Sequence, residues 1–321
     1  MAQLLTPPSL LVQTTSPIAF FCYKRPDHVR RTLGALRANY LAPQSKLFIF
    51  SDGPRDEQSR EGVEQVRQYL HQVDGFASIE IIERDRNYGC AKNIIDGITQ
   101  VVNEFGRVVI VEDDVLASPY FLNYINEALE IYKDDEKVCS AVGFCPNYGK
   151  NVQLPQSFFT RDGIWGWGTW QRAWKDYEYD ADKLLSQLIS KGILEEFDAG
   201  LKQQFYSNML RSQAAGRLDT WDVQWRAVNF LHDRLSLFPG KTLTINIGLD
   251  GSGSHGQLGD NESVNTVLAD SYEPLKRIPV ELNQYIYGLQ VAATKKLMPP
   301  CLPIRAVRKI WRILTGKYRR R

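Results

Sequence analysis

The stretch Val108-Val-Ile-Val-Glu-Asp-Asp114 places four consecutive Val or Ile residues directly before three carboxylates. An apolar run of this kind is typical of a strand that is buried on both faces of a parallel sheet. In such sheets, ligands bind beyond the carboxyl ends of the strands. Adjacent acids are usually solvated turns, and others occur at Asp134–Asp135 and Glu195–Glu196. The position after a buried strand distinguishes this group and predicts an acidic cluster at the functional edge of a sheet.

The sequence around this stretch alternates between apolar strands and amphipathic helices. Three further strands are predicted before it, over residues 18–23, 47–50 and 78–82. Helices are predicted from Pro26, over about 56–73 and over about 91–104. Further along, the pattern predicts a helical stretch over about 181–217 and a strand over 243–247. The expected fold class is α/β, with a mainly parallel central sheet flanked by helices.

The composition is that of a globular protein. Of the 321 residues, 43% are hydrophobic and 24% are charged, which is ordinary for a folded domain. No apolar run approaches the roughly 20 residues that span a bilayer. The five cysteines are scattered, and their odd number favours a reducing compartment over a disulfide framework. The four histidines are also dispersed, which argues against a structural zinc site.

Charge is distributed unevenly along the chain. Residues 282–321 contain ten Lys or Arg and no acid, which leaves 29 basic and 37 acidic residues from the totals of 39 and 37. We therefore expect an N-terminal arm (1–16), a folded unit (17–281) and a basic C-terminal tail (282–321).

The tail from Ile304 has helical spacing. One half of the helical wheel is apolar and the other is basic; the two sets are Ala306, Val307, Ile310, Trp311, Ile313 and Leu314, and Arg305, Arg308, Lys309 and Arg312. A basic amphipathic C-terminal helix of this kind suits an anionic membrane surface. The alternative is a helix docked on the domain with its basic face in solvent. No nucleic-acid-binding motif is present, so we expect no nucleic-acid partner.

The acidic cluster suits a particular chemistry. Glu112, Asp113 and Asp114 supply hard oxygen ligands, and a divalent cation that bridges two phosphates offsets charge as a nucleoside diphosphate leaves. Asp52 follows the second strand, where a carboxylate can accept hydrogen bonds from a base or ribose, or can cap its own Ser-Asp-Gly-Pro turn. Arg25 follows the first strand and can either pair with phosphate or remain a surface charge.

Tryptophan is concentrated in the centre of the chain. Six of the seven tryptophans lie between Trp165 and Trp225, and Gly163, Gly166 and Gly168 are interleaved with the first of them. Aromatic rings and glycine backbone suit the faces and hydroxyl rims of sugars, although any single tryptophan is more often a core residue. Asp222, between Trp221 and Trp225, has the character of a partly desolvated base that can take a proton from an acceptor hydroxyl.

The ordered motifs resemble the GT-A glycosyltransferases, within them the N-acetylglucosaminyltransferase I type. The matching elements are Arg25, Asp52, Glu112–Asp114, Gly163–Gly168, the Trp-Asp-x-x-Trp-Arg motif at 221–226, and Ser254-His-Gly-Gln257. Asn87-Tyr-Gly89 with Lys92-Asn93 resembles an element of bacterial family 2 glycosyltransferases. Each motif is moderately specific, and their joint order extends over roughly 240 residues.

The resemblance implies that the folded unit divides into a nucleotide-sugar or donor half, about 17–116, and an acceptor half, about 117–281. It also implies a role for each matching residue. Asp114 would bind Mn²⁺ (or Mg²⁺), and Glu112 and Asp113 would contact metal-bound water, ribose or the donor sugar. Asp52 would read uracil. The remaining donor-binding residues would be Arg25, Asn87 and Lys92, together with Ser254 and His255 on a loop that closes over the diphosphate. The acceptor or sugar platform would comprise Trp165, Gly166, Trp167, Trp221, Trp225 and Arg226.

Asp222 would be the catalytic base of the family. One departure is that Val223 stands where the family commonly has a second acid, so Asp162 and Glu178 stay open as alternatives. The membrane anchor of eukaryotic relatives is also missing from the start of this sequence. The chain therefore looks more like a bacterial cytoplasmic enzyme, and the basic tail suits a peripheral location on the cytoplasmic face of the membrane.

These features predict an enzyme that moves a hexosyl or N-acetylhexosaminyl group from a UDP-sugar to a glycan or lipid-linked glycan with inversion. A nucleotidyltransferase would need a Gly-rich phosphate loop after the first strand, and residues 22–27 contain no glycine. A carbohydrate-binding protein that kept the fold without catalysis is the second alternative. A dinucleotide-dependent oxidoreductase is disfavoured because no G-x-G-x-x-G follows a strand.

Overall fold

The computed structural model describes residues 14–149, 151–161, 163–250 and 266–297. The strands of the described residues are β1 (Ile18–Cys22), β2 (Lys46–Ser51), β3 (Ser78–Glu83), β4 (Arg107–Glu112), β5 (Val115–Ala117), β6 (Val138–Val142), β7 (Ser157–Thr160), β8 (Trp167–Trp170), β9 (Leu235–Pro239) and β10 (Thr244–Asn246). Their helices are α1 (Pro26–Arg37), α2 (Glu57–Leu70), α3 (Cys90–Phe105), α4 (Phe121–Ile131), α5 (Gln171–Trp174), α6 (Ala181–Ser190), α7 (Leu194–Phe197), α8 (Phe205–Ala214), α9 (Asp222–Leu231) and α10 (Gln284–Leu297).

Eight of these strands form the central sheet, in the order β3-β2-β1-β4-β8-β6-β9-β7. The first four are parallel, β8 runs antiparallel to both of its neighbours, and β6 and β9 are parallel to each other. The other two strands, β5 and β10, form a small antiparallel ribbon beside the sheet. The predicted α/β architecture with a mainly parallel central sheet flanked by helices is confirmed.

Both faces of the sheet are covered by helices, as the continuous apolar strands require. In β1, Ile18 and Phe20 pack with α1 and α4 on one face, while Ala19 and Phe21 pack with α3 on the other. A third apolar cluster joins α6, α7, α8 and α9 away from the sheet. This division of the core leaves the carboxyl edge of β1 and β4 between two packed layers.

The strand order reverses at β1, which lies between β2 and β4. In the register of β1 with β4, Phe21 is paired with Glu112, so the residues after both strands emerge side by side. This is a topological switch point, where ligands bind in open α/β sheets. The fold therefore brings Arg25, which follows β1, next to the carboxylates that follow β4.

The predicted continuous helical stretch over 181–217 was wrong, because the chain forms three separate helices there. Gly192 and Gly200 adopt the left-handed conformation, with φ values of +71° and +67°. A left-handed glycine ends an α-helix, since it turns the chain away from the helical path. The interruptions let α6 and α8 pack against each other and against α9.

Several sequence predictions lie outside the described residues. They are Asp162, the loop with Ser254 and His255, most of the N-terminal arm, and the basic helix from Ile304. The first residues of the predicted tail are described and contact the folded unit: the Asn283 amide donates to the Phe159 carbonyl, and Ile286 is buried. The domain boundaries stay a prediction.

Among the described helices, none combines the length and apolar character needed to cross a bilayer.

Candidate active site

An ion-pair cluster lies at the switch point. Arg25 is the residue before α1, and its Nη2 contacts the carboxylate of Asp113 and lies 2.8 Å from Asp114 Oδ2. Although burial lowers the pKa of the Arg25 guanidinium, the charges of Asp113 and Asp114 raise it overall. Burial raises the pKa of the Asp113 carboxyl, while Arg25 opposes this rise. A single guanidinium thus balances two largely buried carboxylates.

The segment after β10 forms one wall of this cluster. Asn246 Nδ2 lies 3.4 Å from Asp114 Oδ1, and the Ile247 amide donates to the Asp114 carbonyl. A Cβ at Gly248 would lie 2.2 Å from Asp114 Oδ2 and 2.9 Å from Arg25 Nη1. Only glycine therefore lets the backbone approach Asp114 this closely.

Glu112, the last residue of β4, has no hydrogen-bond partner for its side chain among the described residues. Burial, followed by the charges of Asp114, Asp113 and Asp222, raises the pKa of the Glu112 carboxyl to about 8. Asp222 is the first residue of α9 and lies more than 100 residues after Glu112 in the sequence, so its effect on the Glu112 pKa depends on the fold. The fold therefore brings Asp222 within electrostatic reach of the acidic cluster.

The raised pKa of Glu112 predicts a pH-dependent stability difference. The unfolded chain ionises this carboxyl near 4.5, and the folded chain ionises it near 8. The stabilising contribution of the protonated form is complete below pH 4.5 and is lost as the pH rises towards 8. We expect Glu112→Gln to match the wild type at pH 4 and to be more stable by at least ~2 kcal/mol at pH 8. Urea unfolding between pH 4 and 9 in EDTA measures this difference.

Glu130→Gln is the matched control. The hydrogen bond from Lys133 lowers the pKa of the Glu130 carboxyl, so its ionised form stabilises the fold at neutral pH and this variant should lose stability there. Equal pH profiles for Glu112→Gln and the wild type would show that Glu112 is ordinarily solvated.

Asp222 is held at one oxygen only. Thr220 Oγ1 and the Val223 amide both donate to Asp222 Oδ1. Oδ2 accepts no hydrogen bond from the described residues. Asp222 also lines a small cavity of about 30 Å³, with Arg161, Gly163 and Trp225 among its neighbours there. A carboxylate fixed through one oxygen keeps the other available to accept a proton.

The Asp52 carboxylate accepts hydrogen bonds from its own turn and from the loop before α3. The amides of Gly53 and Tyr88 donate to Asp52 Oδ1, while Asn87 Nδ2 and the Gly89 amide donate to Oδ2. These four bonds use the roughly four lone-pair positions of a carboxylate. Burial raises the pKa of the Asp52 carboxyl, and the backbone hydrogen bonds oppose this. Reading of uracil by Asp52 stays a prediction, and it would require some of these bonds to break.

The other donor-binding residue of this half is exposed. Lys92 lies on the first turn of α3 with its Nζ 4.8 Å from the centre of the Tyr88 ring. Asn87 also donates to the Gly53 carbonyl, which fixes its amide in the Asp52 loop. The structure thus joins Asp52 and Asn87 by a hydrogen bond and places Lys92 near the Tyr88 ring of the same loop.

Three of the predicted platform tryptophans pack on one another. Trp167 stacks on Trp221 with ring centres 5.3 Å apart and contacts Trp225 at 5.7 Å. Their exposed fractions are 1%, 2% and 4%, respectively. These rings therefore belong to the core, the role that the sequence left open for any single tryptophan. Trp165 is more exposed, has a φ of +67° and contacts Phe144 edge-on.

The remaining platform residues and one alternative base are also engaged in packing or pairing. Arg226 is buried, donates to the Phe197 carbonyl, and has its pKa lowered by burial to about 10. Gly166 is buried, and its carbonyl accepts from the Gly143 amide. Glu178 pairs with Lys183, and this hydrogen bond lowers the pKa of the Glu178 carboxyl. A base works best with a pKa near the working pH, so Glu178 is less suited to that role.

The donor set fits a hard divalent cation. No three His, Cys, Asp or Glu side chains form a ready-made cluster in the described part of the chain. Mg²⁺-type sites, however, commonly use one or two carboxylates plus substrate phosphates. Burial raises the pKa of the Glu112 and Asp113 carboxyls, and the charge of Asp114 adds to this rise, so a bound cation would favour their ionised forms. On the side of Gly248, backbone and not a side chain bounds the Asp114 carboxylate.

Sequence reasoning missed two residues of this region, Asp219 and Gly248. Asp219 precedes the Trp-Asp motif by two residues, and its carboxylate accepts from the Cys90 amide. A second acid three residues before Asp222 was a signal that the motif does not include. Nothing in the sequence pattern marked Gly248, because its importance depends on how closely β10 approaches β4.

No protein-family model and no curated protein matches the sequence. Among the solved structures that it matches are GT-A-type glycosyltransferases. They include S. aureus TarS 1-349 in complex with UDP-GlcNAc, at 13% identity and a TM-score of 0.30, over 44% of this chain and 38% of that one.

Two further matches cover more of both chains. The mannosyltransferase PcManGT from Pyrobaculum calidifontis, in complex with GDP-Man and Mn²⁺, is 11% identical with a TM-score of 0.36, over 71% of this chain and 72% of that one. Glucosyl-3-phosphoglycerate synthase from Mycobacterium tuberculosis, with Mn²⁺ and UDP, is 9% identical with a TM-score of 0.37, over 64% and 82%. The chain spans well under half of the TarS chain, and at these TM-scores the alignments carry no argument about residues or reaction.

Proposed function

We propose that this chain is a metal-dependent glycosyltransferase that moves a sugar from a nucleoside diphosphate carrier to an acceptor hydroxyl. The observation that carries this proposal is the meeting of two groups at the switch point of the sheet. One is the Arg25–Asp113–Asp114 cluster, and the other is Asp222, whose charge acts on Glu112. A cation and diphosphate site beside a carboxylate base is the minimum that such a transfer needs.

Each residue has a defined task in the proposed reaction. Arg25 offers a guanidinium to the phosphates, and Asp114 is the residue that would hold the cation, with Glu112 and Asp113 nearby. The bound cation would supply charge stabilisation for the departing diphosphate. Asp222 Oδ2 takes the proton of the acceptor hydroxyl. At the same time, the hydroxyl oxygen bonds to the anomeric carbon, and the bond between this carbon and the diphosphate oxygen breaks. This single displacement inverts the anomeric configuration.

The finer assignments are also part of the proposal. A UDP-sugar is the favoured donor, with transfer of a hexosyl or N-acetylhexosaminyl group to a glycan or lipid-linked glycan in a bacterial cytoplasm. The motif resemblance supports these choices, and the matched structures include one in complex with UDP-GlcNAc and one with GDP-Man. Neither nucleotide is favoured by the described contacts, because Asp52 is saturated by protein donors.

The direct test is donor turnover. UDP-, GDP- and TDP-sugars are incubated with the chain and Mn²⁺, and release of the nucleoside diphosphate is followed with simple sugars or water as the acceptor. We expect one donor class to be consumed, and we expect both Asp114→Ala and Asp222→Asn to abolish its consumption. Formation of a nucleotide sugar from a sugar phosphate and nucleoside triphosphate would establish the nucleotidyltransferase alternative. Binding of sugar without any turnover would establish the carbohydrate-binding alternative.

Product stereochemistry tests the inversion separately. The anomeric configuration of the product, read by NMR, should be opposite to that of the donor. Retention of configuration would remove Asp222 from the role of base, because retention requires two successive displacements or an equivalent path.

We also propose that the basic tail holds the chain near an anionic membrane. The supporting observation is the separation of six apolar and four basic residues on opposite halves of the wheel from Ile304, a segment outside the described residues. A Lys or Arg near such a surface contributes about 1 kcal/mol. Truncation after Pro303 should reduce co-sedimentation with phosphatidylserine vesicles and leave nucleotide binding intact. Equal partitioning of both forms would favour a tail docked on the domain.

A further inference from the structure

A hydrogen bond connects a carboxylate of the acceptor half to a helix of the donor half. Asp219 Oδ2 accepts a hydrogen bond of 3.1 Å from the backbone amide of Cys90, the first residue of α3, which lies 129 residues earlier in the chain. The first amides of a helix lack intrahelical partners, and the helix dipole favours a negative charge there. Asp219 therefore supplies the cap that α3 does not obtain from its own N-cap residue, Gly89.

Gly89 makes this contact possible in two ways. Its φ is +80°, a conformation that suits glycine, and a Cβ at this position would lie 2.7 Å from Asp219 Oδ2. The amide of the same residue donates to Asp52 Oδ2. The loop before α3 is thus fixed on one side by Asp52 of the donor half and on the other by Asp219 of the acceptor half.

The segment from Asp219 to Asp222 is held along its whole length. The Thr220 amide donates to Gln213 Oε1 at 3.0 Å, and Thr220 Oγ1 donates to Asp222 Oδ1. Tyr177 donates its hydroxyl to the Trp221 carbonyl at 3.0 Å. Gln213 and Tyr177 belong to the acceptor half, so they fix the segment within that half. The bond from Cys90 to Asp219 fixes it against the donor half.

The surroundings of Cys90 show how close the two halves come. Burial, and then the charges of Glu112, Asp219 and Asp222, raises the pKa of the Cys90 thiol well above its ordinary value. Carboxylates from the end of β4 and from the 219–222 segment therefore converge around the start of α3. Cys90 is half-buried and its thiol lies among these groups, so its reactivity reports on them.

We propose that Asp219 is a positioning residue, which sets the place of Asp222 relative to Glu112–Asp114 by clamping the 219–222 segment to the start of α3. The inference rests on the proposed function, in which Asp222 is the base. Asp219 itself touches neither donor nor acceptor in this account. Its effect passes through the backbone from Asp219 to Thr220 and through the Thr220 hydroxyl to Asp222.

The test compares Asp219→Ala and Asp219→Asn with Asp180→Ala. Asp180 is the matched control because it is also an aspartate whose carboxylate caps a helix: its Oδ1 accepts from the Lys183 amide at the start of α6. A base displaced by about 1 Å loses on the order of 10²-fold in rate. We expect Asp219→Ala to lower kcat by about 10- to 100-fold with donor KM changed less than about threefold. Asp219→Asn keeps an acceptor oxygen and should lose less.

A second readout does not depend on turnover. Alkylation of Cys90 by iodoacetamide, followed by mass spectrometry of its peptide, should be faster in both Asp219 variants because a neighbouring negative charge is gone. Amide exchange at Cys90 should rise in Asp219→Ala, since its amide loses its acceptor. Neither quantity should change in Asp180→Ala.

The outcomes separate the inference from the proposed function. If the wild type turns over no donor, the proposed function fails, and Cys90 exchange still decides whether the clamp exists. If donors are turned over but Asp219→Ala has the kcat of Asp180→Ala, the positioning role is overturned. It is also overturned if exchange at Cys90 is the same in Asp219→Ala and the wild type. A fall in kcat together with faster Cys90 alkylation, at a melting temperature matching that of Asp180→Ala, supports it.

Discussion

Asp222→Asn is expected to lower kcat by about 10²- to 10⁴-fold, the range that a positioned general base contributes. The amide keeps the shape of the carboxylate, and its oxygen can still accept from Thr220 and from the Val223 amide. What disappears is the ability of the second oxygen to take a proton. Donor KM should therefore stay within a few-fold of the wild-type value, and the loss should lie in kcat. Steady-state kinetics at saturating acceptor measure this.

Glu178→Gln is the control for this variant, because Glu178 is the alternative base that the structure describes. Its pairing with Lys183 lowers its pKa, so its replacement should leave kcat nearly unchanged. A larger loss in Glu178→Gln than in Asp222→Asn would move the base to Glu178. A wild-type kcat in both variants would exclude Asp222 and Glu178 as the base.

Arg25→Ala should cause the second largest effect, this time on stability. Arg25 contacts the carboxylates of both Asp113 and Asp114, and all three side chains are less than one-fifth exposed. Removing one partner of a buried pair typically costs about 3–5 kcal/mol, because the remaining charge stays buried without compensation. With partial solvent access, we expect a loss of about 2–4 kcal/mol in the free energy of unfolding at pH 7 in EDTA. Urea unfolding measures it.

The matched control is Arg37→Ala, which breaks the pair between Arg37 and Asp74. Those side chains are 59% and 67% exposed, and pairs of this kind contribute about 0–1 kcal/mol. Mn²⁺ should restore more stability to Arg25→Ala than it adds to the wild type, since it offers positive charge to the same carboxylates. Equal stability of Arg25→Ala and Arg37→Ala would show that the cluster does not depend on Arg25.

Much of the donor half was predictable because its strands are continuous apolar runs. Val108–Val111 indicated a strand buried on both faces, and the structure has β4 over Arg107–Glu112. The rule that ligands bind beyond the carboxyl ends of the strands then predicted the acidic cluster at the functional edge of the sheet, although it did not pair Arg25 with that cluster. These inferences need only local patterning and one property of parallel sheets.

The acceptor half was harder, because its arrangement depends on long-range packing. Nothing in the order of residues indicated that Trp167, Trp221 and Trp225 would cover one another. The four donors to Asp52 come from its own turn and from a loop 35 residues further on, so its saturation was equally hidden. The proximity of Asp222 to Glu112 was expected only through the family resemblance. No periodicity relates the two positions.

The central claim is that the switch point binds a nucleoside diphosphate through a cation. The most direct test is the melting temperature of the chain with UDP, GDP or TDP, each with Mn²⁺ and again with EDTA. Ligand at ~100 times its Kd stabilises the native state by about 2.7 kcal/mol. We expect a rise with one nucleotide that EDTA removes and that Asp114→Ala lacks. An unchanged melting temperature with every nucleotide, with and without Mn²⁺, would contradict the claim.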